Sequence, residues 1–143
     1  MAVSFHLMPP IQFRLSDRAK LKRWIKTIVE NHHKSLGETS FILCSDEYLY
    51  QINMEYLQHN TYTDIITFDN SDNPGIIEGD IFISIERVVD NAKKYGVSPD
   101  EELRRVVAHG ILHLLGFKDK KTEEQALMRQ KEEECLLLFK SLL

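Results

Sequence analysis

Apolar residues in this chain follow two rhythms, and the switches between them mark its elements. Val3 to Leu7 reads as an extended segment, ended by Pro9-Pro10. Ser16 then offers a helix cap, and Leu21, Trp24, Ile25, Ile28 and Val29 recur at helical spacing, the mark of a buried stripe. Lys20, Lys22, Arg23 and Lys26 fall on the opposite, solvated face. Thr39 to Cys44 is a strand centred on Phe41-Ile42-Leu43. Ser45-Asp46-Glu47 starts a helix, with a capping hydroxyl and acids in the first turn, that runs to about Leu57. After a polar loop, Gln58 to Thr63, come two β-rich runs, Asp64 to Phe68 and Asp80 to Ile85. Between them, Asp69 to Gly79 is rich in turn formers, so the pair reads as a long-looped hairpin.

Beyond Ser84 the period becomes helical again. Ile85, Val88, Val89 and Ala92 form one apolar face, and Gly96 stops it. Ser98-Pro99-Asp100-Glu101 combines a cap, a proline at the first helical position and a capping-box glutamate. The helix it opens runs to about Leu115, with Gly116 just beyond. Its second half, Ala108 to Leu115, is apolar nearly all round apart from two histidines, the pattern of a central, buried helix. Thr122 to Gln125 offers a second capping box for a C-terminal helix. Strands early, helices at both ends and no regular βαβ repeat predict an α+β fold: a small mixed sheet packed with helices, around a central histidine-bearing helix.

The 143 residues suit one domain, 1–143. An apolar fraction of 43% and a charged fraction of 28% are ordinary for a soluble globular protein. No apolar run approaches the roughly 20 residues of a membrane-spanning helix. The N-terminus lacks the basic start, apolar stretch and cleavage site of an export signal, so a cytoplasmic location is expected. Cys44 and Cys135 are far apart and form no CxxC pair, which argues against a disulfide framework or a cysteine zinc site and fits a reducing compartment. The formal charge of −4 means that any nucleic-acid contact must come from a local basic patch.

Candidate chemistry concentrates in His109-Gly-Ile-Leu-His113-Leu-Leu-Gly116-Phe-Lys-Asp119. Residues four apart on a helix stand one turn apart on the same face, so both imidazoles can reach one ion. Gly116 permits a chain reversal, since it adopts φ > 0 without strain, and Asp119 then arrives as a third ligand. Two neutral nitrogens and a carboxylate suit Zn²⁺ with a position left for water. Such a metal lowers the pKa of bound water toward about 7 and polarises a phosphoryl or carbonyl oxygen. A bare HxxxH pair also occurs on ordinary surfaces and in cores. Here both rings sit in an apolar half-helix, where an unpartnered polar ring is costly to bury. Helical zinc proteases read HExxH with a glutamate base, and Gly110 stands at that position, so a standard protease mechanism lacks its base.

This segment resembles the HGxLHLxGxDH signature of the YbeY family of bacterial endoribonucleases. Thr63-Asp64-Ile65-Ile66-Thr67-Phe68 resembles that family's TDVLSF segment, and Gly79-Asp80-Ile81-Phe82-Ile83-Ser84 its GDIxIS segment. The resemblance covers most of the chain. It implies a zincin-like α+β fold, a bound zinc and single-strand-directed RNA cleavage in ribosomal RNA maturation. Processing of the 16S rRNA 3′ end and ribosome quality control are implied with it, as are RNA and the ribosome or its 30S subunit as partners. Two departures stand out. Asp119 aligns with the family's third histidine and Lys118 with the preceding aspartate. Leu57 aligns with an arginine thought to assist catalysis, and His59 is the nearest candidate substitute.

The remaining candidates read both ways. His59 can contact phosphate or assist proton transfer, or be one more exposed loop histidine. Thr63 and Asp64 can line the cleft, or Asp64 can serve the strand entry. Arg104, Arg105, Lys118, Lys120 and Lys121 flank the metal segment and can form a basic rim for RNA, or a solvated surface. Lys118, Arg105 and Thr63 are the expected substrate contacts, with Lys118 foremost because it borders Asp119. Glu132-Glu133-Glu134 argues against an RNA surface on the last helix. His6, His32 and His33 have no spacing partner. No protein general base is evident in sequence; the metal would activate water, or stabilise charge on the phosphate during attack. The rivals to a ribonuclease are a metal hydrolase of another substrate and a non-catalytic ribosome-assembly factor with a structural metal.

Overall fold

The computed structural model describes residues 2–57 and 63–143. Its elements in order are β1 (Val3–Leu7), α1 (Arg18–Asn31), β2 (Ser35–Cys44), α2 (Asp46–Leu57), β3 (Ile65–Asp69), β4 (Ile76–Ser84), α3 (Ile85–Tyr95), α4 (Pro99–Leu114) and α5 (Thr122–Ser141). The strands form one mixed sheet in the order β1-β2-β4-β3. β1, β2 and β4 run parallel, and β3 lies antiparallel on β4 as the outer arm of a hairpin. This is the α+β architecture that the sequence patterning predicts.

One face of the sheet buries Val3, Phe5, Phe41, Leu43, Ile81 and Ile83 against the apolar stripes of α1 and α4. Met128 and Cys135 of α5 close this core from outside. The Trp24 indole N–H donates to the Cys135 carbonyl at 2.8 Å, which joins α1 to α5 and satisfies the one polar atom of a fully buried ring. The opposite face carries a smaller cluster of Cys44, Leu49, Ile52 and Ile66 beneath α2.

Three boundaries differ from the sequence reading, each for a local reason. Asp17, not Ser16, caps α1: its carboxylate accepts from the Lys20 backbone N–H at 3.2 Å, while the Ser16 hydroxyl donates to Asp100. The turn before β4 is tighter than expected. The Asn73 side chain accepts from Gly75 N–H at 2.8 Å and its carbonyl from Ile76 N–H at 3.0 Å. Pairing therefore starts at Ile76, and β2 extends back to Ser35 to meet it. At α5 the box closes one residue early, with Lys121 N–H donating to the Glu124 carboxylate at 2.9 Å.

The two upstream motifs acquire structural roles. A Cβ at Gly79 would stand 2.3 Å from the Phe68 carbonyl oxygen, so β3 and β4 approach each other only because that position has no side chain. The Ser84 hydroxyl accepts from Arg87 N–H and caps α3.

Candidate metal centre

Helix α4 starts where its signals lie: the Ser98 hydroxyl accepts from Glu101 N–H at 3.1 Å, and Pro99 occupies the first turn. At the other end, Gly116 takes φ 106° and the Gly116 and Phe117 N–H groups bond back to His113 and Leu112 carbonyls. That reversal returns Asp119 across the exposed edge of the last turn. The Nε2 atoms of His109 and His113 are 3.0 Å apart. Asp119 Oδ2 lies 3.2 Å from the first and 3.3 Å from the second.

Three lone-pair-bearing atoms in a near-equilateral triangle suit a small cation. Metal–ligand bonds of about 2.0–2.1 Å in a tetrahedron place ligand atoms about 3.3 Å apart. The observed spacings of 3.0 to 3.3 Å lie close to that edge. The two rings and the carboxylate remain part-exposed, at 21%, 27% and 37%, so the fourth direction faces solvent. The sequence-predicted triad is therefore brought together as a possible metal-binding group.

A fourth residue completes the arrangement, and the sequence reading missed it. The His109 Nδ1–H donates to Glu132 Oε2 at 2.6 Å. A carboxylate accepts only, so this contact places the ring proton on Nδ1 and leaves the Nε2 lone pair aimed into the triangle. Burial by itself lowers the His109 pKa, but the hydrogen bond and charge of Glu132, with Asp119 and Asp64 adding, outweigh it and raise the value. Glu132 is 6% exposed, unlike its neighbours in the acidic run. The available signal was its position: Met128, Glu132, Cys135 and Leu136 share one helical face, and all four are buried.

Arg105 is tied to α5 by two carboxylates. Its guanidinium spans Glu132 at 3.3 Å and Glu133 at 2.7 Å, bracing the carboxylate that holds His109. The same contact lowers the Glu133 pKa. Lys118 is exposed next to Asp119, as are Lys120 and Lys121. The Thr63 hydroxyl is engaged locally, donating to the Ile65 carbonyl at 3.3 Å. The Asp64 carbonyl accepts from Ser84 N–H at the strand entry, and the residue lines a cleft shared with His109. Leu57 ends α2, and His59 lies outside the described residues. The histidines without a spacing partner have local roles: His6 pairs with Ser4, and His32 Nδ1 with the Ile28 carbonyl.

Gly110 also gains a physical reason. A Cβ there would lie 3.1 Å from both Ile65 and Ile81. This side of α4 presses on the sheet, so a glutamate at that position would enter the core rather than face the triad.

Comparison with known proteins places these features in a family context. The profile described as endoribonuclease YbeY matches residues 11–140. The chain is 51% identical over 136 residues to the endoribonuclease YbeY of Cytophaga hutchinsonii, covering 95% of each protein. It is 53% identical over 127 residues to that of Christiangramia forsetii, covering 89% of this chain and 88% of the relative. Its fold is similar to the solution structure of TM1509 from Thermotoga maritima, with a TM-score of 0.65, 21% identity and coverage of 96% and 88%.

Proposed function

The chain belongs to the endoribonuclease YbeY family, and from that premise we propose that it is a metal-dependent endoribonuclease of ribosomal RNA processing that cuts single-stranded RNA. The observation that carries this reading is the convergence of His109 Nε2, His113 Nε2 and Asp119 Oδ2 at a part-exposed edge of α4. Zinc suits two imidazoles and one carboxylate at that spacing. When bound, such an ion lowers the pKa of a coordinated water and polarises a phosphoryl oxygen.

The chain's own residues have separable tasks. His109 and His113 present lone pairs from consecutive turns of a helix whose other side is fixed in the core. Glu132 keeps the His109 proton on Nδ1, and Arg105 keeps Glu132 in place. Asp119 contributes a negative charge where the family signature has an imidazole, which tempers the Lewis acidity available to the phosphate. Lys118, exposed beside Asp119, can meet an approaching RNA strand. The peptide-hydrolase alternative loses support because the position of the protease glutamate is Gly110, which points into the sheet.

The test is His113→Ala, with bound metal measured by elemental analysis and cleavage measured on single-stranded RNA after metal repletion. The expected result is loss of most of the single bound metal and a fall in cleavage of about a hundredfold or more. Undiminished RNA cleavage by that variant would refute the reading. Retained ribosome binding with no RNA cleavage by the wild-type protein would favour the assembly-factor alternative.

A further inference from the structure

Two clefts open beside His109, and α5 walls both. The first, about 220 Å³, is lined by His109, Asp119, Gln125, Met128, Arg129 and Glu132. The second, about 160 Å³, extends toward Asp64 and Glu102 and shares His109, Arg129 and Glu132 with the first. Gln125, Arg129 and Glu132 follow one another at i, i+4 and i+7, so they form a single stripe along α5. Arg129 thus sits where the two clefts meet, beside the residue that orients His109.

Its state contrasts with that of Arg105. Both arginines line the second cleft. Arg105 is 21% exposed and already bound to Glu132 and Glu133. Arg129 is exposed and, among the described residues, has no carboxylate within ion-pair distance. The lining of the two clefts includes Asp64, Glu102, Asp119 and Glu132. Burial raises the Glu102 pKa. An RNA backbone entering such a site meets net repulsion unless a cation faces it. A metal held by His109, His113 and Asp119 would supply one such charge, and Arg129 is the uncommitted guanidinium lining both clefts. A guanidinium's planar fork matches two phosphate oxygens, which a lysine ammonium does not.

From this placement we infer that Arg129 is a phosphate-binding residue of the site, taking a non-bridging oxygen of the single-stranded RNA backbone beside the metal position. The inference rests on the ribonuclease reading above and gives that site a substrate contact the motif residues do not supply. The competing role for Arg129 is charge balance alone, because its charge opposes the burial that raises the Glu102 pKa and adds to the Arg105 contact that lowers that of Glu133.

The experiment compares wild type, Arg129→Ala, Arg129→Gln and Arg129→Lys, each loaded with zinc and checked for unchanged metal content and melting. One readout is kcat/KM on a single-stranded RNA. The other is the salt dependence of affinity for a 2′-O-methyl strand of the same sequence, which resists cleavage. Removing the guanidinium should lower kcat/KM about a hundredfold in the Ala and Gln variants. It should also reduce the slope of log Kd against log salt by about 0.7, the loss of one phosphate contact on a single strand. Arg129→Lys should keep the slope and lose about tenfold in kcat/KM, because charge survives but the fork does not. Variants with a wild-type salt slope and kcat/KM within about threefold of wild type would overturn the proposal in favour of charge balance. Should zinc-loaded wild type fail to cut RNA, the ribonuclease reading falls, while the salt slope still decides whether Arg129 meets a phosphate.

Discussion

One face of the sheet is built thick and the other thin. On the thick face, α1, α4 and α5 enclose Trp24, Phe41, Ile83 and Ile111, all fully buried, and the candidate metal triad stands on the outer edge of that assembly. On the thin face, α2 packs its Leu49 and Ile52 on Cys44 and Ile66 of the sheet, while its Met54, Tyr56 and Leu57 stay 46%, 65% and 39% exposed. The difference shows where positional accuracy is needed. Two histidines and an aspartate have to hold spacings near 3 Å, and rigid support beneath the ligands is what keeps such a group in register. The thin face carries no comparable group among the described residues.

The strongest way to break this comparison is to cut one core residue on each side. Ile111 and Leu49 are both fully buried. Ile111→Ala should cost about 4 kcal/mol, since its neighbours are pinned between sheet and helices and relax little into the cavity. Leu49→Ala should cost about 2 kcal/mol, near the low end for such deletions, because α2 can settle. Urea unfolding measures both. The sharper readout is metal affinity from chelator competition. Ile111→Ala should weaken it about tenfold by loosening the helix between the histidines, whereas Leu49→Ala should leave it within about twofold. Equal effects on metal affinity would mean that the two faces support the site alike.

A smaller change sharpens the account of the thick face. Glu132→Gln preserves shape and removes the charge that the His109 Nδ1–H and Arg105 both face. Metal affinity should fall about 10- to 100-fold, the usual consequence of losing a carboxylate behind a ligating histidine. Arg105 keeps Glu133 as a partner, so the thermal midpoint should move little. Unchanged metal affinity would separate Glu132 from the site and leave it a core contact only.

Glu132 also marks the limit of what the sequence reveals. His109, His113 and Asp119 are legible because their contacts are local: one helical turn, then a glycine reversal. The cap at Ser98, the stop at Gly96 and the stripe of α1 are legible for the same reason. Glu132 meets His109 across 23 positions, and nothing local distinguishes it from Glu133 and Glu134 except the helical face it shares with Met128 and Cys135. The Arg105 ion pairs are hidden in the same way, since Glu132 and Glu133 lie 27 and 28 positions away from it. Gly110 was informative as a missing glutamate. Its packing against Ile65 and Ile81 depends on sheet placement, which no spacing rule encodes.

The two cysteines offer the finest test, because one lies under each face. Both thiols are pushed up to about 12, chiefly by burial, so neither reacts as a thiolate in the closed protein. Static exposure favours Cys135, at 5% against 0% for Cys44. Local stability favours the opposite order. Exposing Cys135 requires parting α5 from α1, with loss of the Trp24 hydrogen bond to the Cys135 carbonyl and disruption of the large core. Exposing Cys44 requires α2 to lift from its small cluster, with loss of the Arg87–Asp46 ion pair and of the thiol's contact with the Ile83 carbonyl. Segments with few buried apolar contacts open at lower free energy than the global transition. In sub-denaturing urea at pH 8, a thiol reagent followed by peptide mapping should therefore modify Cys44 about ten times faster than Cys135, corresponding to an opening difference of about 1.4 kcal/mol. Faster modification of Cys135 would place the weaker packing beneath the metal site and reverse the comparison.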